Sequence, residues 1–321
     1  MRRYRHPATA TSIVVFALSV SLAFSQAARR SDLIDSPQLL KDLQTLSADD
    51  MQGRQVGTPG GAKARAYVTQ RFKESGIVPF GESLEQSFTF AAARGGTGSD
   101  RQGENVIGRI DGTKGSVPCI VLSAHYDHIG VRNGQVFNGA DDNASGTAAL
   151  FALGKYFSAH RPAHTIIVAA FDGEESGTRG SLAFVRTPPV DLASIAVNVN
   201  LDMIGRDPDD KLYAVGTHWY PFLKPYLDRV AASAPVKLLF GHDDPQQRGV
   251  EDWTKDSDHY PFHQAKIPFI YLGVEDFGQH HKATDDYETM SHDFYVRAVE
   301  TALRVLQEFD ANLEAIQKSR N

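Results

Sequence analysis

Five side chains of metal-binding type stand out along this chain: His125, Asp142, Glu175, Asp202 and His281. Residues 119–124 form a short apolar run that closes on His125. Residues 165–171 form a second, which closes on Asp172-Gly173-Glu174-Glu175, and residues 196–201 a third, which closes on Asp202. Two divalent ions held about 3.5–4 Å apart need a shared anion between them and separate ligands for each. An aspartate suits the shared position, because each of its oxygens can face one ion while its charge offsets their repulsion. Neutral imidazoles and further carboxylates complete such shells. Two histidines and three carboxylates would leave the ion pair a residual positive charge, able to acidify a bound water. The chain holds 12 histidines and 39 acidic residues, so residue type alone does not select this set from many others.

The elements that would have to position these groups can be read from apolar spacing. Residues 119–124, 165–171, 196–201 and 266–272 read as buried strands, and 146–157 as an apolar helix between the first two. Strands alternating with helices predict an α/β fold, a single domain with a central, mostly parallel mixed sheet flanked by helices. Ligands in such sheets bind beyond the carboxyl ends of the strands, where the polar residues named above fall. Nearer the N-terminus, residues 36–48 and 62–75 read as helices, the second closed by Gly76, with a glycine-rich loop over 51–61. The small, polar residues 91–103 read as a loop or hairpin tip with no chemistry. The sequence shows no internal repeat and no interdomain linker.

Composition narrows the function. A chain of 321 residues, 41% hydrophobic and 22% charged, can build a core without disulfide staples. Lys and Arg number 33 against 39 acidic residues and form no basic stripe, so nucleic-acid binding has no electrostatic support. Arg2, Arg3 and Arg5 precede an apolar run from Ile13 to Phe24, followed by small residues around Ala27. This is the layout of a secretory signal peptide over 1–27, leaving a single domain over 28–321. The run is short of the roughly 20 apolar residues of a membrane span. We therefore expect a secreted or periplasmic protein with no stable span in its mature form. Cleavage would remove three arginines and leave the chain more acidic than the −6 of the full sequence. The single cysteine, Cys119, lies inside an apolar run and reads as a buried strand residue rather than a nucleophile.

Four stretches carry a family resemblance: Ala124-His125-Tyr126-Asp127-His128, Gly139-Ala140-Asp141-Asp142-Asn143-Ala144-Ser145-Gly146, Phe171-Asp172-Gly173-Glu174-Glu175-Ser176-Gly177 and Asn200-Leu201-Asp202-Met203. In this order they resemble the motifs of the co-catalytic zinc aminopeptidases of peptidase clan MH, which include secreted bacterial leucyl aminopeptidases. The resemblance runs from about Leu39 to the C-terminus. It implies two zinc ions bridged by Asp142, with His125 and Asp202 completing one site and Glu175 and His281 the other. It implies Glu174 as the general base that takes a proton from the attacking water and returns it to the departing amine. It also implies that Asp127 orients His125 through its other ring nitrogen, and that the Asp142–Asn143 peptide is cis. Peptides are the implied substrates. His281-Lys282-Ala283-Thr284-Asp285 fits the family's His-x-x-x-Asp better than a reading begun at His280, which stands where some members carry a tyrosine. Ser257-Asp258-His259 also resembles a family stretch and reads as support beside the pocket.

Three alternatives share these residues. A glutaminyl cyclase on the same fold works with one zinc ion. A carboxypeptidase needs cationic groups for a terminal carboxylate, and no arginine cluster lies near the motifs. A non-catalytic exported binding protein would have no use for Glu174. A serine hydrolase is disfavoured, because no Gly-x-Ser-x-Gly elbow occurs. The sequence is silent on oligomeric state.

Overall fold

Strands that are apolar at nearly every position are stable only where both faces of their sheet are covered. The computed structural model, which describes residues 31–91 and 100–320, places the three central runs in that setting. The signal segment read over 1–27 lies outside the described residues.

The chain begins with helices α1 (Ser36–Leu46) and α2 (Pro59–Glu74), then antiparallel strands β1 (Glu85–Phe90) and β2 (Arg101–Ile110). Strand β3 (Cys119–His125) follows, with a small hairpin of β4 (Val131–Arg132) and β5 (Gln135–Val136). Next come α3 (Gly146–Ala159), β6 (Ile166–Phe171), α4 (Arg179–Arg186) and β7 (Ile195–Leu201). The remainder is β8 (Lys211–Val215), α5 (Lys224–Ala231), β9 (Lys237–Phe240), α6 (His259–Gln264), β10 (Phe269–Gly273), α7 (His292–Ala311) and α8 (Leu313–Arg320). Eight strands form one sheet in the order β1-β2-β6-β3-β7-β10-β8-β9. The four central strands, β6, β3, β7 and β10, run parallel, while β2 and β8 join them antiparallel. The predicted α/β class and mostly parallel mixed sheet are what the chain forms.

Side chains alternate between two cores, as a period of two requires. From β3 and β6, Ile120, Leu122, Ile166 and Val168 enter the larger core, with Phe151 of α3 and Leu303 of α7. Their neighbours Val121, Ile167 and Phe171 enter the smaller core, against Phe184 of α4 and Phe262 of α6. Cys119 is buried there, and burial pushes its thiol up to about 11, which fits a packing role.

Several element boundaries differ from the sequence reading: the first helix ends at Leu46, and residues 101–103, read as loop, open β2. Residues 51–61 are not all loop: α2 starts at Pro59, with the Thr58 hydroxyl accepting from the Gly61 amide. Proline in the first turn lacks only an amide that has no partner there, so a Pro-Gly-Gly stretch that looks like a breaker opens a helix once capped. In the same stretch, Asp49–Arg54 forms a 3-10 turn. At the far end of α2, Gly76 closes the helix with φ +78°, as its type suggested. The last strand starts at Phe269 rather than near 266, after Pro268.

Candidate metal centre

The parallel strands deliver their polar residues to one end of the sheet. His125 is the last residue of β3 and Asp202 follows β7 directly. Glu174 and Glu175 lie in a 3-10 turn after β6, entered through left-handed Gly173 (φ +71°). Asp142 lies in the 140–145 turn that leads into α3, and His281 in the segment after β10. The five candidate ligands meet. His125 Nε2 is 3.3 Å from Asp142 Oδ1 and 3.3 Å from Asp202 Oδ2. His281 Nε2 is 3.3 Å from Asp142 Oδ2 and 2.8 Å from Glu175 Oε2. Asp142 therefore has one oxygen toward each histidine, the disposition a bridging carboxylate requires.

Asp142 is aimed by its neighbours. The Asp285 carboxylate accepts the Asp141 amide at 3.0 Å and the Asp142 amide at 3.1 Å, and is itself paired to Arg206 at 2.9 Å. Asp141 faces the other way and accepts the Gly205 amide at 2.8 Å, and burial beside Asp285 pushes its carboxyl up to about 8. The Asn143 side chain ties Leu201 O to the Gly146 amide, and the Asp142–Asn143 peptide is cis, as expected. Arg54, fully buried, donates to the carbonyls of Leu46, Tyr126, Asn138 and Gly139 and so ties the loop after His125 to the loop before Asp142. Nothing in the sequence pattern singled out Arg54, because its partners are backbone carbonyls remote in sequence.

The polar atoms at the centre lack protein partners. His125 Nε2, Asp142 Oδ2, Glu175 Oε1 and Asp202 Oδ1 are buried with no hydrogen bond. Folded proteins rarely leave such groups unsatisfied, and several together facing one space fit a cation that takes their lone pairs. The residues present therefore suit a metal of the zinc type, with nitrogen and oxygen donors. The electrostatics agree. Burial opposes charge on His125, but Asp202, with Asp127 and Asp142, holds its imidazole well above the usual range. Asp142 and Glu175, although buried, are held below the usual carboxylate range by the histidines around them. Asp142 and Glu175 push His281 up to about 10.

Glu174 is set apart from this cluster. It lines the same cavity as Asp142, Glu175 and Asp202. Burial, with Asp258 and Asp202 adding to it, pushes its carboxyl well above the usual range against the pull of His125. A carboxyl so perturbed beside a reaction cavity is suited to moving protons. Asp127 is placed somewhat differently from the expectation. His125 Nδ1 is 3.1 Å from the Asp127 backbone carbonyl, while the carboxylate lies 3.7 Å away and accepts the Glu174 amide at 3.0 Å. The residue thus contacts both His125 and Glu174, through different atoms.

The Ser257-Asp258-His259 stretch packs beside Asp202. Ser257 Oγ donates to Asp202 Oδ2 at 2.6 Å, and Asn200 Nδ2 donates to Ser257 at 2.9 Å. Asp258 accepts from Ser181, and His259 contacts Trp253 O. His280 is exposed, lies against the His281 ring and reaches 3.5 Å from Asp142 Oδ2. His128 received no role from the sequence, yet it is buried with Nδ1 2.6 Å from Glu175 Oε1. The turn after β3 decides where it points, and strand periodicity stops at His125.

Known proteins resemble this chain at two levels. Residues 105–306 match peptidase family M28. A probable zinc metalloprotease of Pyrenophora tritici-repentis is 32% identical over 113 residues, which are 33% of this chain and 23% of that protein. The chain therefore matches less than a quarter of that relative's length. In solved structures, a zinc aminopeptidase from Bacillus subtilis superposes with a TM-score of 0.70 at 16% identity, covering 88% of this chain and 96% of the other. A glutaminyl cyclase from Porphyromonas gingivalis gives 0.69 at 22% identity, covering 87% and 99%. These two likenesses establish the shared fold. With the family match spanning most of the chain, and with residues fit for zinc at the ends of its parallel strands, this chain belongs to peptidase family M28.

Proposed function

We propose that the protein is an exported aminopeptidase that uses two zinc ions. The observation that carries the reading is the charge of the cavity over the metal centre, about 410 Å³ in volume. Beyond the candidate ligands and Glu174, its charged lining residues are Glu251, Asp256 and Asp276, with Trp253 and Tyr271 as aromatic wall. Among the described residues that line it, none is arginine or lysine. Such a cavity attracts the ammonium of a free peptide N-terminus and repels a terminal carboxylate, which argues against a carboxypeptidase.

In this reading His125, Asp142 and Asp202 would hold one ion, and Asp142, Glu175 and His281 the other. Zinc bound there would supply Lewis acidity for polarising a scissile carbonyl and acidifying a water. Glu174 takes the proton of the attacking water and delivers it to the leaving amine. Its raised proton affinity favours holding that proton between the two steps. Asp127 keeps the Glu174 backbone in place. Export rests on residues 1–27.

Purified mature protein assayed on aminoacyl reporters, on the same reporters N-acetylated, and on a peptide with N-terminal glutamine tests the proposal, with zinc measured alongside. Cleavage of the free-amine reporters alone, with two zinc ions per chain, is expected. Cleavage of blocked reporters, or cyclisation of the glutamine peptide with one zinc per chain, would replace it with another reaction. N-terminal sequencing of the exported protein tests processing near residue 27.

A further inference from the structure

His128 follows His125 by three residues and has no part in the reading above. Its side chain is fully buried and neither ring nitrogen has a hydrogen-bond partner. An imidazole kept only for packing would leave two polar atoms desolvated without compensation, which folded proteins avoid. Nδ1 lies 2.6 Å from Glu175 Oε1 and 3.6 Å from Asp142 Oδ2. Nδ1, an oxygen of Glu175 and an oxygen of Asp142 lie within 4.8 Å of one another, close enough for one ion to take a donor atom from each.

The ring is held in this orientation. Gly139, with φ +55°, passes so close that a Cβ there would come within 2.6 Å of His128 Cγ and Cδ2. Beside it, with ring centroids 5.8 Å apart, His281 brings Nε2 to the same two carboxylates, Asp142 and Glu175. His128 and His281 therefore flank one carboxylate pair, the first buried and the second with 47% of its side chain exposed.

We propose that His128 Nδ1 is a protein ligand of the ion held by Asp142 and Glu175, a proposal that rests on the zinc reading above. That pocket then has four protein donors: His128, Asp142, Glu175 and His281. The other has three: His125, Asp142 and Asp202. Four protein donors close a zinc shell, whereas three leave a position for water or substrate. The Glu175 pocket is accordingly the tighter and persistently filled one, and the His125 pocket the open and more readily emptied one. His281 is the ligand that the tight pocket can lose without emptying.

Two measurements test this. The first is a crystal structure of the zinc-loaded wild-type protein with anomalous data at the zinc edge. Nδ1 of His128 is expected at a bonding distance of about 2.0–2.1 Å from one zinc. A zinc in the Glu175 pocket with Nδ1 outside its shell overturns the proposal. The second is zinc titration against a chromophoric chelator for wild type, His128→Ala and His281→Ala, with circular dichroism as a check on folding. Two steps are expected in wild type. His128→Ala should weaken the tighter step by more than the roughly 10–100-fold typical of groups that merely orient a ligand, and His281→Ala by less than His128→Ala. An unchanged tight step in a folded His128→Ala protein overturns the assignment. If that variant does not fold, the wild-type crystal structure decides by itself. Wild-type protein that binds no zinc would remove the underlying zinc reading, an outcome distinct from zinc bound without His128.

Discussion

The candidate centre has two unlike walls. One consists of strand ends and the turns directly beyond them: His125, Asp142 and Asp202 are each at most 6% exposed and sit on the sheet. The other is the segment after β10, where the side chains of His280 and His281 are 45% and 47% exposed. The first wall is fixed by the ladder of β6, β3, β7 and β10 and by two packed cores. The second is fixed locally, by Asp276 accepting the amides of Gly278, Gln279 and His280, and by Asp285 at its far end. A metal site of this kind can thus be rigid on one side and adjustable on the other. The difference in burial also separates what should be costly to alter from what should be tolerated.

The sharpest test of the rigid wall is Glu174→Gln, which keeps the shape and removes the base. Turnover is expected to fall by about 10²–10⁴-fold, with zinc content unchanged by elemental analysis. Near wild-type turnover would show that the Glu174 carboxyl does not move the proton. Asp285→Ala cuts the tie between the walls, because Asp285 holds both the Asp142 turn and Arg206. Removing one partner of a buried pair should cost about 3–5 kcal/mol in denaturant unfolding and weaken zinc binding. A stable variant with wild-type zinc affinity would mean that the walls are set independently.

Zinc affinity should also depend on pH through the exposed wall. Asp142 and Glu175 push His281 up to about 10, so at neutral pH the zinc-free site carries a proton that the metal must displace. Affinity is therefore expected to rise about tenfold per pH unit for that proton and to flatten above about 10. The zinc-free protein shows the converse. The raised imidazole contributes stability that is fully present below the ordinary value of 6.5 and is lost as pH rises through about 10, readable as a falling Tm. His281→Ala should remove its share of both trends. The smallest effect is expected from Asp276→Ala, which frees three exposed amides. It should raise KM a few-fold while zinc content and kcat stay near wild type, the pattern of a wall that guides substrate rather than aligning chemistry. A large loss of kcat would erase the distinction between the walls.

How far the sequence could be read follows the same division. The apolar runs closing on His125, Glu174–Glu175 and Asp202 gave the strands because doubly covered strands are apolar throughout, and strand ends face the site in a parallel sheet. His281 took its place from the resemblance, since it sits on an irregular segment with no periodicity to reveal its direction. The start of α2 was hidden by Pro59-Gly60-Gly61, whose local preference for a turn is overridden by the Thr58 cap and by packing. The Asp127 contact was expected from the carboxylate and is made by its carbonyl, an atom every residue has and no residue type can announce.

By itself, then, the sequence determined the α/β class, the strand order of the polar residues and the supply of nitrogen and oxygen donors. Those follow from hydrophobic periodicity and residue type, both of which are local. Only the tertiary structure decided that Asp142 turns one oxygen to each histidine, that Asp141 turns away toward Gly205, that Arg54 ties the loops around the centre, and that His128 lies against Glu175. Each depends on the direction of a side chain set by backbone turns and by partners distant in sequence. Direction, unlike residue type, is fixed only when the chain has packed.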